Sequence, residues 1–105
     1  MNSILLVEDD LSLIDGLEFS LRKHGFHIDI ARTVNEALAI VQSKKHDLLI
    51  LDLTLPDGRG FEICKRVRES WAVPIIFLNR RRKYRQMENA GRGEYQRHNM
   101  CPRGT

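Results

Sequence analysis

At 105 residues the chain has room for one domain with a modest core, and its 42% hydrophobic content suits a globular fold. No stretch approaches the ~20 apolar residues of a membrane span, no basic segment leads into a long apolar run at the start, and Cys64 and Cys101 lack metal-ligand spacing. A membrane protein and a zinc module are thereby set aside, a cytoplasmic setting is expected, and the formal net charge of +3 is the sum of two unlike segments. Residues 1–78 carry nine Lys and Arg against twelve Asp and Glu, a net −3, whereas residues 79–105 carry eight against two, a net +6.

The first element in chain order is Ser3-Ile4-Leu5-Leu6-Val7, a short apolar strand that runs straight into Glu8, Asp9 and Asp10. Three adjacent acids at a strand end make an anionic pocket. Asp10 also suits the N-cap of a helix in which Leu11, Ile14, Leu17 and Leu21 recur at helical spacing and Gly25 supplies the stop. For Asp10 the cap and the ligand readings stand level. Glu8 and Asp9 precede the helix, where they repel each other unless a cation is near.

Phe26-His27-Ile28-Asp29-Ile30-Ala31 alternates as a half-exposed strand does, which predicts a sheet edge. Thr33-Val34-Asn35-Glu36 matches a capping box, and Ala37, Leu38 and Val41 mark the inner stripe of the helix it opens. His24, His27 and His46 are scattered without ligand spacing, so surface or strand-edge places are expected for all three.

Leu48-Leu49-Ile50-Leu51-Asp52 is an unbroken apolar run ending in one acid, as in a strand buried on both faces of a parallel sheet. Pro56 to Gly60 predicts a tight turn, after which Phe61, Cys64 and Val67 mark the core face of a third helix. Trp71, near that helix's end, reads as a packing anchor. Val73-Pro74-Ile75-Ile76-Phe77-Leu78 follows as another buried strand, with Pro where a missing amide hydrogen is tolerated.

Strands alternating with helices of this length predict an α/β fold with a flavodoxin-like, doubly wound parallel sheet in the order 2-1-3-4. Ligands of such sheets bind at the carboxyl ends of the strands, where Glu8, Asp9 and Asp52 converge if the first and third strands are neighbours. A set of carboxylate oxygens favours a hard cation such as Mg²⁺, to which Thr54 would add its backbone carbonyl. With such a cation Asp52 is a plausible nucleophile toward a phosphoryl group. As mere helix caps and surface charge, the acids at 8–10 would have no reason to coincide with Asp52.

Ile4 to Asp10, Asp47 to Gly58 and Val73 to Leu78 together resemble the receiver domain of bacterial two-component response regulators, a CheY-like fold. The wording is most similar to the winged-helix OmpR/PhoB-type class. The resemblance covers residues 1–78 and implies that Asp52 accepts a phosphoryl group from a sensor histidine kinase. It also implies that Glu8, Asp9, Asp52 and the Thr54 carbonyl bind Mg²⁺, and that the parent protein is a DNA-binding transcriptional regulator. On this reading the chain is a signalling module and not an enzyme.

Departures from the family begin at residue 79. Asn79 stands where the fourth strand of the family ends in Thr or Ser, and no Lys-Pro pair closes a fifth strand. The fifth strand and the last helices are not recognisable in residues 79–105. Without them the fourth strand is expected to be an exposed edge open to self-association, and phosphorylation is expected to be impaired. The expected division is a partial receiver domain at 1–78 and a basic tail at 79–105. Residues 79–85 have a coding in which a start one base later yields Thr-Ala-Asp-Glu-Asn-Ile, a family-like continuation, so a shifted reading frame is the favoured origin of the tail. The alternative function is a nucleic-acid-binding protein acting through that tail, with Tyr84 and Tyr95 interleaved among its arginines.

Overall fold

The computed structural model describes residues 2–78. Their elements are β1 (Ser3–Val7), α1 (Leu11–Lys23), β2 (His27–Ala31), α2 (Val34–Ser43), β3 (Leu48–Asp52), β4 (Thr54–Leu55), β5 (Gly58–Arg59), α3 (Gly60–Arg68) and β6 (Ile75–Leu78). Four strands form one parallel sheet in the order β2-β1-β3-β6, as the alternating pattern predicts. The registers run from Ser3 opposite His27 to Val7 opposite Ala31, from Ile4 opposite Leu48 to Val7 opposite Leu51, and from Leu49 opposite Ile75 to Asp52 opposite Leu78.

The strands alternate between two cores because successive side chains point to opposite faces. Leu5, Val7, Leu49, Leu51, Ile75 and Phe77 face α2 and α3, which return Val34, Ala37, Val41, Ile63, Cys64 and Val67. Ile4, Leu6, Ile28 and Ile50 face α1, whose only fully buried residue is Ile14; Leu17 and Leu21 pack more loosely on the same cluster. Leu11, predicted on that stripe, is exposed, because it opens the helix above the rim of the sheet. Among the described residues α1 alone covers this face, and Ile76 stays 37% exposed on β6. The expectations that this strand's far edge is open and that no fifth strand or last helices follow it fall on residues outside the described ones.

Local chemistry fixes where the helices begin and end. Asp10 caps α1, its Oδ1 accepting the Leu13 amide at 3.1 Å. At the other end Gly25 (φ +93°) donates to the Arg22 carbonyl at 2.9 Å and Phe26 donates to the Leu21 carbonyl at 3.1 Å. This paired ending needs a left-handed residue, and Leu21 and Phe26 supply its apolar contact. Among the described residues no helix is long and apolar enough to cross a membrane.

Three further sequence expectations need correction. Phe61 is half exposed, because α3 starts at Gly60 and its inner stripe is Gly60, Ile63, Cys64 and Val67; the Phe61 ring instead tilts over Phe77 at 5.1 Å. His46 is buried, held through Nε2 by Asp29 Oδ2 at 2.7 Å. The capping box of α2 forms by half: Thr33 Oγ1 accepts the Glu36 amide at 3.0 Å, but Glu36 Oε1 accepts from the Arg32 amide, at 2.8 Å. Trp71 packs on the α2–α3 side of the core, with Lys45 Nζ 5.8 Å from its ring centre.

Candidate functional site

The carboxyl ends of β1 and β3 lie side by side, since Val7 pairs with Leu51, so the next residues, Glu8 and Asp52, emerge as neighbours. Both are buried. The Glu8 amide donates to the Ala31 carbonyl at 3.0 Å and extends the β1–β2 ladder by one bond. Its carboxylate turns back, with Oε2 accepting the Asp9 amide at 3.1 Å and the Asp10 amide at 3.0 Å, which offsets part of the cost of its burial. Asp52 Oδ1 accepts the Thr54 amide at 3.3 Å. Asp9, half-buried, completes the group, and one carboxylate oxygen from each of Glu8, Asp9 and Asp52 lies within 4.8 Å of the others.

Two unit charges at that separation repel by about 3 kcal/mol at an effective dielectric near 20. Three carboxylates together therefore favour either protonation or a cation. The donors are all oxygen, without nitrogen or sulfur, which fits a hard divalent ion better than a soft one. Of the four residues expected at the site, three converge and Thr54 adjoins them through its amide. Asp10 is the α1 cap.

The segment after Asp52 is more ordered than a bare turn. Leu53 donates to the Leu78 carbonyl at 3.2 Å, and Gly60 donates to the Leu53 carbonyl at 3.0 Å. Between them β4 and β5 pair antiparallel, Thr54 opposite Arg59 and Leu55 opposite Gly58, so Pro56 and Asp57 form the tip of a hairpin. Gly60 closes it against the backbone of Asp52: a Cβ there would collide with the Asp52 carbonyl oxygen and lie 3.2 Å from the Phe77 ring. The Asp57 carboxylate reaches the start of α2, accepting the Val34 amide at 2.7 Å and the Asn35 amide at 3.1 Å. The Val34 bond foremost holds the Asp57 carboxyl below its ordinary value; burial opposes it in part, and the Asn35 bond adds a smaller lowering.

Arg32 was not anticipated either. It follows β2 at the same rim, and its guanidinium donates to the Asp9 carbonyl at 3.3 Å. Its position directly after a strand end was the available signal; Asp57 and Gly60 were legible only as turn residues.

Residues 4–95 match the response regulator receiver domain. The chain belongs to that family. Its fold is that of a receiver of the two-component response regulators. The receiver is 38% identical over 81 residues to the transcriptional regulatory protein AfsQ1 of Streptomyces coelicolor, covering 77% of this chain and 36% of that protein. To the sensory transduction protein RegX3 of Mycolicibacterium smegmatis it is 41% identical, with the same coverage. The receiver thus spans about a third of the length of these curated relatives. The response regulator TrrA of Thermotoga maritima, solved in complex with Mg²⁺–BeF, matches with a TM-score of 0.68 at 33% identity, covering 73% of this chain and 68% of that one.

Proposed function

We propose that Asp52 is the phospho-acceptor of this receiver, that Mg²⁺ is held by Glu8, Asp9, Asp52 and the Thr54 carbonyl, and that the donor is a sensor histidine kinase. The observation that carries the reading is the convergence of three carboxylates, two of them buried, at the rim where β1 and β3 end side by side. The family membership and the Mg²⁺–BeF complex of TrrA support it. In the step itself an Asp52 carboxylate oxygen attacks phosphorus. A new O–P bond forms and the bond from phosphorus to the donor's imidazole nitrogen breaks, the imidazole keeping the bonding pair and taking up a proton. A bound divalent ion supplies charge neutralisation between the carboxylate and the phosphoryl oxygens. The chain's own part is to hold Asp52 at a rigid strand end, with its backbone against Gly60 and its Oδ1 on the Thr54 amide.

The parent protein is proposed to be a DNA-binding transcriptional regulator, as the name of AfsQ1 supports, and the domain division is proposed at residue 78. The family match runs past that point, yet Asn79 stands in place of Thr or Ser and no Lys-Pro pair follows. With that lysine goes one positive charge for the phosphoryl oxygens, so this chain is proposed to be impaired in phosphorylation.

The test is incubation with a small phosphodonor and MgCl₂, read by intact mass. One phosphoryl group, slow to appear and missing in Asp52→Asn, is expected. Labelling that persists in Asp52→Asn would overturn the assignment.

A further inference from the structure

The hydrogen bonds around the crevice lead from both of its banks to one place, the first turn of α2. On the β3 bank, Asp52 Oδ1 holds the Thr54 amide, Thr54 opens the β4–β5 hairpin, and the hairpin's tip grips the Val34 and Asn35 amides through Asp57. On the β1 bank, the Asp9 carbonyl is held by the Arg32 guanidinium, and the Arg32 amide is held by Glu36 of the same helical turn. The first amides of a helix lack intrahelical acceptors, and a carboxylate there is favoured by the helix dipole. The helix already has its own cap in Thr33. The carboxylate of Asp57 comes from 23 residues away in sequence and joins a second segment to it.

We infer that Asp57 is a positioning residue of the cation site: by clasping the hairpin to α2, it sets the separation between Thr54 on one bank and Asp9 on the other. The inference rests on the proposed reading of the crevice as a Mg²⁺ site. Asp57 touches neither the cation nor the phosphoryl group; it acts through the loop that carries Thr54. A metal site loosened in its supporting contacts loses affinity even when every ligand is present.

The test is calorimetric titration of the full chain with MgCl₂ alone, comparing wild type with Asp57→Ala, Asp57→Asn, Arg32→Gln and Thr33→Ala. Asp57→Ala is expected to weaken Mg²⁺ binding by about fivefold or more, and Asp57→Asn, which keeps one acceptor oxygen, by less. Arg32→Gln, at an exposed position on the other bank, is expected to weaken it by a few-fold, and serves if Asp57→Ala fails to fold. Thr33→Ala removes the helix's own cap and is expected to lower stability while leaving Mg²⁺ affinity within about twofold. Unchanged affinity in Asp57→Ala, unchanged affinity in Arg32→Gln, or an equal loss in Thr33→Ala would each overturn the inference. Wild-type protein that binds no Mg²⁺ would overturn the cation site itself, a different result from binding that is indifferent to Asp57.

Discussion

His46 Nε2 lies 2.7 Å from Asp29 Oδ2, and Lys44 Nζ approaches the same oxygen at 2.9 Å. The imidazole is enclosed while the carboxylate stays 38% exposed, so the pair joins the loop before β3 to the edge strand β2 at the rim of the core. The hydrogen bond from His46 foremost, then that from Lys44, hold the Asp29 carboxyl below its ordinary value.

A carboxyl lowered in the folded state stabilises the fold above its unfolded value of about 3.9, and that contribution is lost as pH falls through the lower folded value. Asp29→Asn is therefore expected to be less stable than wild type at neutral pH, by under about 1 kcal/mol after solvent screening. The difference should close below about pH 4. Urea denaturation at a series of pH values checks this, and a gap that widens toward acid would contradict it. His46→Ala, which empties an enclosed place, is expected to cost about 2–4 kcal/mol.

Gly60→Ala tests the contact between α3 and Asp52. The added Cβ would meet the Asp52 carbonyl, which belongs to the backbone of a central strand and has nowhere to retreat. A loss of about 1–3 kcal/mol is expected, together with weaker Mg²⁺ binding, because Asp52 or α3 must shift. Thermal denaturation and titration on one sample measure both.

Two other glycines should respond in opposite directions. Gly16 lies in the middle of α1 with nothing within 4 Å of an added Cβ, so Gly16→Ala is expected to stabilise by about 0.5–1 kcal/mol. Gly25 has equal space but a φ of +93°, and Gly25→Ala is expected to cost about 1 kcal/mol. Denaturant midpoints that move the same way in both variants would contradict the backbone argument.

The charge cluster predicts a stability that depends on the ion. At a free Mg²⁺ concentration ten times its dissociation constant, the wild-type fold should gain about 1.4 kcal/mol. Asp9→Asn should lose most of that gain, yet be as stable as wild type or more so without the ion, since one of three close negative charges is gone. Melting curves with and without MgCl₂ decide it.

The sheet order and the convergence of Glu8, Asp9 and Asp52 were legible because apolar runs that end in acids mark both the buried strand and the rim it points to. The contacts of His46, Arg32 and Asp57 were not. Each depends on a partner 17 to 23 residues away, and the same residue types at those positions would serve equally well on a solvated surface. Phe61 misled because a large apolar residue beside a helix start satisfies an inner stripe one position out of phase.

Trp71 follows α3, a nine-residue helix that carries the chain about 12 Å from Gly60 at the crevice, and it meets Lys45 before β3 begins, with that strand spanning about 13 Å to Asp52. The single tryptophan of the chain therefore watches the end of the domain opposite its chemistry. Its emission reports whether the domain is assembled rather than what the acidic crevice holds, so occupancy of the crevice has to be read by a second signal beside it.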